Sequence, residues 1–173
     1  RMILGELLLG SLSIFGVPLM ITHKVCPIGG EKFKDSYVPQ CPTNKFVMFK
    51  NEFTEEELKK YEKIINSEEY REIPRNSNKY YYLARFYEML GGVSDKEIGK
   101  TYFNSYHYYS ENKEIKREAL QKGISYLEKA EKKDYEVMWN LANLYSEAEE
   151  YDKMNKLLEK TSEKDFGKTA EFY

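Results

Sequence analysis

The strongest constraint in this chain is a change of hydrophobic period at Thr54. From there on, apolar residues recur every three or four positions, the spacing of amphipathic helices. Thr54-Glu-Glu-Glu57 reads as a capping box, followed by Leu58, Tyr61, Ile64 and Ile65 on one face. Pro74 and Asn76-Ser77-Asn78 break the pattern. A second helix is expected over 78–90, carrying Tyr82, Leu83, Phe86, Tyr87 and Leu90, and stopping at Gly91-Gly92. Ser94-Asp-Lys-Glu97 starts a third, with Ile98, Tyr102, Tyr106 and Tyr109. Further helices are expected over 113–132, 134–148 and 150–162. The connections are short, so neighbouring helices should form antiparallel hairpins.

Composition fits a helical body with one core. Apolar residues make up 41% and charged residues 32%, with tyrosine dominating the aromatics at 16 against 9 Phe and 1 Trp. A tyrosine buries a large ring and keeps a polar tip that needs a partner. The net charge is −2, with both signs interleaved and no basic stripe. Nucleic acid is therefore not an expected partner.

Ahead of the helical body, Met2 to Thr22 is apolar except for Glu6 and small polar residues. At about 1.5 Å per residue, about 20 residues cross the roughly 30 Å of bilayer hydrocarbon. Pro18-Leu-Met-Ile-Thr-His23 offers no Ala-x-Ala cleavage site. We therefore expect a transmembrane signal anchor over 1–24 that contacts lipid through residues 2–22. A cleavable signal and a buried apolar arm are the competing readings. Arg1 on one side and His23 and Lys24 on the other leave the positive-inside rule nearly silent. Gly5, Gly10 and Gly16 would let another membrane helix approach closely, and Glu6 either reaches the interface or pairs with such a helix.

Between anchor and helices lie both cysteines, Cys26 and Cys41, each opening a Cys-Pro phrase. Zinc ribbons use paired Cys-x-x-Cys knuckles. Here the second ligand positions hold Gly29 and Asn44, and His23 with Cys26 would still leave a site one ligand short. No metal or other cofactor is expected. In an oxidising compartment a Cys26–Cys41 disulfide is the leading reading, and closing a loop of about 15 residues is worth about 3 kcal/mol in the chain-entropy model. Free thiols, zinc and a catalytic thiol pair are the alternatives. Phe46-Val-Met-Phe49 has strand composition, so residues 25–50 are expected to form a small β/loop subdomain.

Leu83-Ala-Arg-Phe-Tyr87 and Leu141-Ala-Asn-Leu-Tyr145 are an internal repeat. With Tyr151, Met154 and Leu158, the second copy resembles a tetratricopeptide repeat, and Gly123-x-x-x-Leu127-x-x-Ala130 resembles the second helix of one. The Cys-Pro pair followed by such helices resembles a group of bacterial proteins of unassigned activity, whose front end looks like a zinc ribbon. The resemblance spans about residues 26–160, and this chain departs from it at Gly29 and Asn44. It implies stacked antiparallel helical hairpins over 51–173 in a mainly α chain. It also implies a concave peptide-binding face on the first helix of each hairpin. On that face would lie Tyr81, Arg85 and Glu88, and Trp139, Asn143 and Ser146.

No phosphate loop, zinc-protease helix or nucleophile elbow is present in the sequence. The expectation is a non-enzymatic, membrane-anchored interaction module outside the cytoplasm, an accessory or assembly subunit of a bacterial envelope complex with a protein partner in or at the membrane. The alternatives are a thiol- or metal-dependent enzyme centred on Cys26 and Cys41, and an immunity or inhibitor protein docking one partner.

Overall fold

A computed structural model describes residues 38–108, 110–130 and 134–159. The described chain is mainly helical: α1 (Glu55–Ile65), α2 (Glu68–Arg71), α3 (Lys79–Leu90), α4 (Asp95–His107), α5 (Lys113–Lys129), α6 (Tyr135–Glu147) and α7 (Tyr151–Leu158). Local chemistry fixes most of the starts. Thr54 and Glu57 form both bonds of the capping box on α1. Side chains of Asn78, Ser94, Asn112 and Asp134 accept from the first-turn amides of α3, α4, α5 and α6. Gly91 and Gly92 end α3 with φ of 67° and 73°, a region open to glycine at little cost. The single turn α2 had no periodicity to reveal it. Ser67 starts it by accepting from the Tyr70 amide.

The segment Phe46–Phe49 does not form the expected strand. Among the described residues, β structure is limited to one antiparallel bridge between Gln40 and Val47. The reason lies in burial. Phe46, Val47 and Met48 are all buried in succession, so no alternation of inner and outer faces exists for a sheet to use. The segment instead inserts into the helices. Phe46 sits at the centre of an aromatic cluster, with ring centroids 5.5 Å from Phe86, 5.9 Å from Phe53 and 6.1 Å from Tyr61. Residues 41–53 thus share one core with α1, α2 and α3, and that core continues to Tyr102, Ile115 and Ala119. A second apolar cluster joins α5, α6 and α7 through Leu127, Val137, Leu141, Leu144 and Leu157.

Consecutive helices are each other's main neighbours from α3 to α7, α1 leans on α3, and α4 also reaches α6. Three helices carry the same pattern of a large apolar residue, a small one and a tyrosine: Leu83-Ala84-x-x-Tyr87, Ile98-Gly99-x-x-Tyr102 and Leu141-Ala142-x-x-Tyr145. All nine residues are buried. The small residue lets the next helix come close. A Cβ at Gly99 would stand 2.7 Å from Leu127 Cγ and 3.1 Å from the Leu127 amide nitrogen, and one at Gly123 would stand 2.8 Å from Leu144. No described helix is long and apolar enough to cross a membrane; Gly5, Glu6, Gly10, Gly16 and the expected anchor lie outside the described residues.

The close approach at Gly99 sets the sign of a substitution. In an open helix Gly→Ala gains about 1 kcal/mol. Here Gly99→Ala must push α5 away and is expected to destabilise the chain by about 1–3 kcal/mol. Urea unfolding followed by circular dichroism measures this, and a gain in stability would mean that α4 and α5 are not held this closely.

Candidate functional site

Tyr81, Arg85 and Glu88 lie on α3, but not as a free binding stripe. Tyr81 is only 3% exposed. Its ring meets Tyr102 of α4 at 6.1 Å, edge to face. The expectation of an exposed Tyr81 fails because α3 is covered on two sides, by the Phe46 loop with α1 and by α4. Tyr81, Tyr82, Leu83, Ala84, Phe86 and Tyr87 are consequently all buried.

Arg85 and Glu88 are already engaged. Arg85 donates to Glu69 at 2.8 Å and also to Glu88. Glu88 in turn accepts from Lys122 at 3.1 Å and from the Tyr126 hydroxyl at 3.0 Å. The carboxylate is shared by two cations and a phenol from three positions on α3 and α5, so it ties those helices together. Tyr102 lies beneath, fully buried and stacked on Tyr126 at 6.1 Å. Its hydroxyl is sealed beside Arg85 and Glu88 without a hydrogen bond of ordinary geometry. Burial, and then the Glu88 charge, hold Tyr102 well above the usual tyrosine range.

The α6 residues are different. Trp139 is 53% exposed, which places it at the surface and not in the core. It stacks on Tyr135, one turn earlier, at 6.5 Å with rings nearly parallel. Asn143 donates its side-chain amide to the Trp139 carbonyl at 2.8 Å. Ser146 is exposed. Residues 135, 139, 143 and 146 follow the three-and-four spacing of one helix face. The main neighbours of α3 are α4 and α1, while those of α6 are α5 and α7. The two groups expected to share a groove therefore stand on helices that are not principal neighbours, and only the α6 group presents an open surface.

Cys41 is fully buried. Cys26 lies outside the described residues. Asn44, at the position of a second knuckle ligand, serves the turn instead: its Oδ1 accepts from the Phe46 amide at 3.0 Å. The turn is closed by Cys41 donating to Phe46 O at 2.8 Å and Lys45 donating to Cys41 O at 3.0 Å. Among the described residues no group of three or more His, Cys, Asp or Glu could hold a metal ion. His107 packs beside Phe103 at 4.4 Å and Tyr106 at 5.1 Å, and burial lowers its pKa.

No protein-family model, curated protein or solved structure matches the chain. The sequence reading missed two features. One is the Tyr135 brace under Trp139, which the i, i+4 spacing of the two aromatics could have signalled. The other is a cleft beside the Cys41 turn, formed by residues too far apart in the chain for any local pattern to group them.

The tyrosines whose burial raises their pKa make a testable titration. Burial, reinforced by Glu147, pushes Tyr106 up to about 12. Burial and Glu88 do the same for Tyr126. The folded chain thus keeps protons that the unfolded chain releases near pH 10. Their contribution to stability is complete below pH 10 and is lost as pH rises from 10 towards 12. Ultraviolet titration should show Tyr106 and Tyr126, with Tyr70, Tyr87 and Tyr145, ionising only above pH 10 and together with unfolding. Independent titration of all of them near pH 10 would contradict the packing.

Proposed function

We propose that this chain is a membrane-anchored, extracytoplasmic helical-repeat interaction module, an accessory or assembly subunit of a bacterial envelope complex. The observation that carries the reading is the outer stripe of α6. A half-exposed tryptophan lying parallel to a neighbouring tyrosine is the kind of group on which protein interfaces concentrate their binding energy. Asn143 and Ser146 supply polar contacts along the same stripe. Tetratricopeptide-like hairpins provide a scaffold suited to presenting such a stripe, because each helix is fixed by its neighbours.

The anchor rests on the sequence of residues 2–22, where Gly5, Gly10, Gly16 and Glu6 would contact a partner helix. The compartment rests on the cysteines. Cys41 is buried and is not a free cysteine, and Cys26 is the only other cysteine in the chain. A Cys26–Cys41 bond would place the helical domain on the periplasmic side. Non-reducing mass spectrometry of the intact protein from membranes should give a mass lower than that of the fully reduced chain by two hydrogen atoms, with residues 2–22 still present. A reduced chain, or one lacking that segment, would remove the basis for this location.

The partner surface has its own test. Trp139 is exposed and outside the core, so Trp139→Ala should leave the helical circular dichroism spectrum and unfolding midpoint almost unchanged. Co-purification of the envelope partner in mild detergent should fall at least about tenfold, as for a central interface aromatic. Undiminished recovery of the same partner by the variant would rule out the α6 stripe as its docking site.

A further inference from the structure

A cleft of about 450 Å³ opens between the Cys41 turn, the end of α1, α2 and the start of α3. Its volume lies within the range of small-molecule sites. The apolar wall is Ile65 with the rings of Tyr70 and Tyr82. Both tyrosine protons are directed into the protein: Tyr70 donates to Lys45 O at 3.0 Å, and Tyr82 to Ile73 O at 3.3 Å. Ile65, Tyr70 and Tyr82 are only 2–3% exposed, so just the edges of this wall reach the cleft, and no phenol proton is free for a ligand.

The polar lining is unbalanced. Lys45, Arg71 and Arg75 supply three cations against the single carboxylate of Glu62. None of the three forms an ion pair with a described residue. Arg71 donates only to the neutral amide oxygen of Asn66, at 3.1 Å. Asn44, at the same wall, has its Oδ1 committed to the Phe46 amide, which fixes the orientation of the amide group. Its Nδ2 is buried and has no acceptor among the described residues. The cleft therefore holds more hydrogen-bond donors and positive charge than its acceptors balance.

The rim is also built in advance. Lys45 adopts φ of 63°, uncommon for a residue other than glycine. Its carbonyl accepts from Gln40 Nε2 at 3.0 Å as well as from Tyr70. Two donors on one carbonyl, one of them from α2, hold the turn in that conformation and set Lys45 over the cleft.

We propose that this cleft binds a small molecule with an oxyanion head and an apolar body. The head, a carboxylate or phosphate group, sits among Lys45, Arg71 and Arg75, and a small apolar body abuts the edges of Ile65, Tyr70 and Tyr82. A planar oxyanion matches the fork of an arginine. The site is independent of the α6 stripe, and neither proposal depends on the other.

Three probes of matched ring size test the site on the full chain in mild detergent: benzoate, phenyl phosphate and benzylamine. Thermal unfolding at millimolar probe should rise with benzoate or phenyl phosphate and stay level with benzylamine. The stronger of the two anions identifies the head group. Arg71 and Arg75 are exposed and outside the core, so Arg71→Gln with Arg75→Gln should keep the fold and weaken anion binding at least about tenfold. Asn44→Asp retains an oxygen for the Phe46 amide, preserves the turn and places a negative charge against the anion, so it should give a similar loss. An equal response to benzylamine, an undiminished response in both variants, or no response to either anion would overturn the proposal.

Discussion

Hydrogen bonds from partly or fully buried tyrosine hydroxyls to carboxylates on other helices organise the helical body. Tyr106 of α4 donates to Glu147 of α6 at 2.6 Å, Tyr126 of α5 to Glu88 of α3 at 3.0 Å, and Tyr145 of α6 to Glu128 of α5 at 2.7 Å. Each ring contributes apolar area while its tip fixes a carboxylate on another helix. Lysines complete the arrangement from outside: Lys122 lies over the Tyr102 ring at 5.5 Å and Lys153 over Tyr145 at 5.4 Å. Apolar packing alone is non-directional and would tolerate sliding of one helix along the next. The phenol–carboxylate bonds between α3 and α5, α4 and α6, and α5 and α6 are directional and fix the register there.

The same residue type joins the front of the domain to the helices. Tyr70 anchors the Cys41 turn through Lys45 O, while Phe46 inserts among Phe53, Tyr61 and Phe86. The turn is thus clamped from both sides, by a hydrogen bond at its rim and by a ring at its base. That clamp accounts for the strained Lys45 conformation and for the pre-formed cleft beside it.

Much of the fold was legible because helix starts are local chemistry. Thr54, Asn78, Ser94 and Asp134 each cap their own first turn, and Gly91-Gly92 ends α3, so boundaries could be read within a few residues. The α2 turn was not legible, since four residues carry no period. The strand expected at Phe46–Phe49 failed for a related reason. Its composition is right for a strand, but three consecutive buried side chains describe a segment inserted into helices, and burial on all sides leaves no mark that distinguishes the two. The partner-binding positions divided in the same way. Trp139, Asn143 and Ser146 keep the exposure that the repeat resemblance implies. Tyr81 does not, and Arg85 and Glu88 are taken up by residues from α2 and α5.

By itself the sequence determined the helical period, the capped starts, the small residues at Gly99 and Gly123, and the apolar run of residues 2–22. These follow from spacing and from side chains acting on their own backbone. Tertiary structure alone decided which polar groups are spent and which remain available. Glu88 is enclosed by Arg85, Lys122 and Tyr126, whereas Lys45, Arg71 and Arg75 converge on a cleft with a single carboxylate. Charge balance around a site depends on residues distant in the chain. It is therefore set by how the helices meet, and no local pattern carries it.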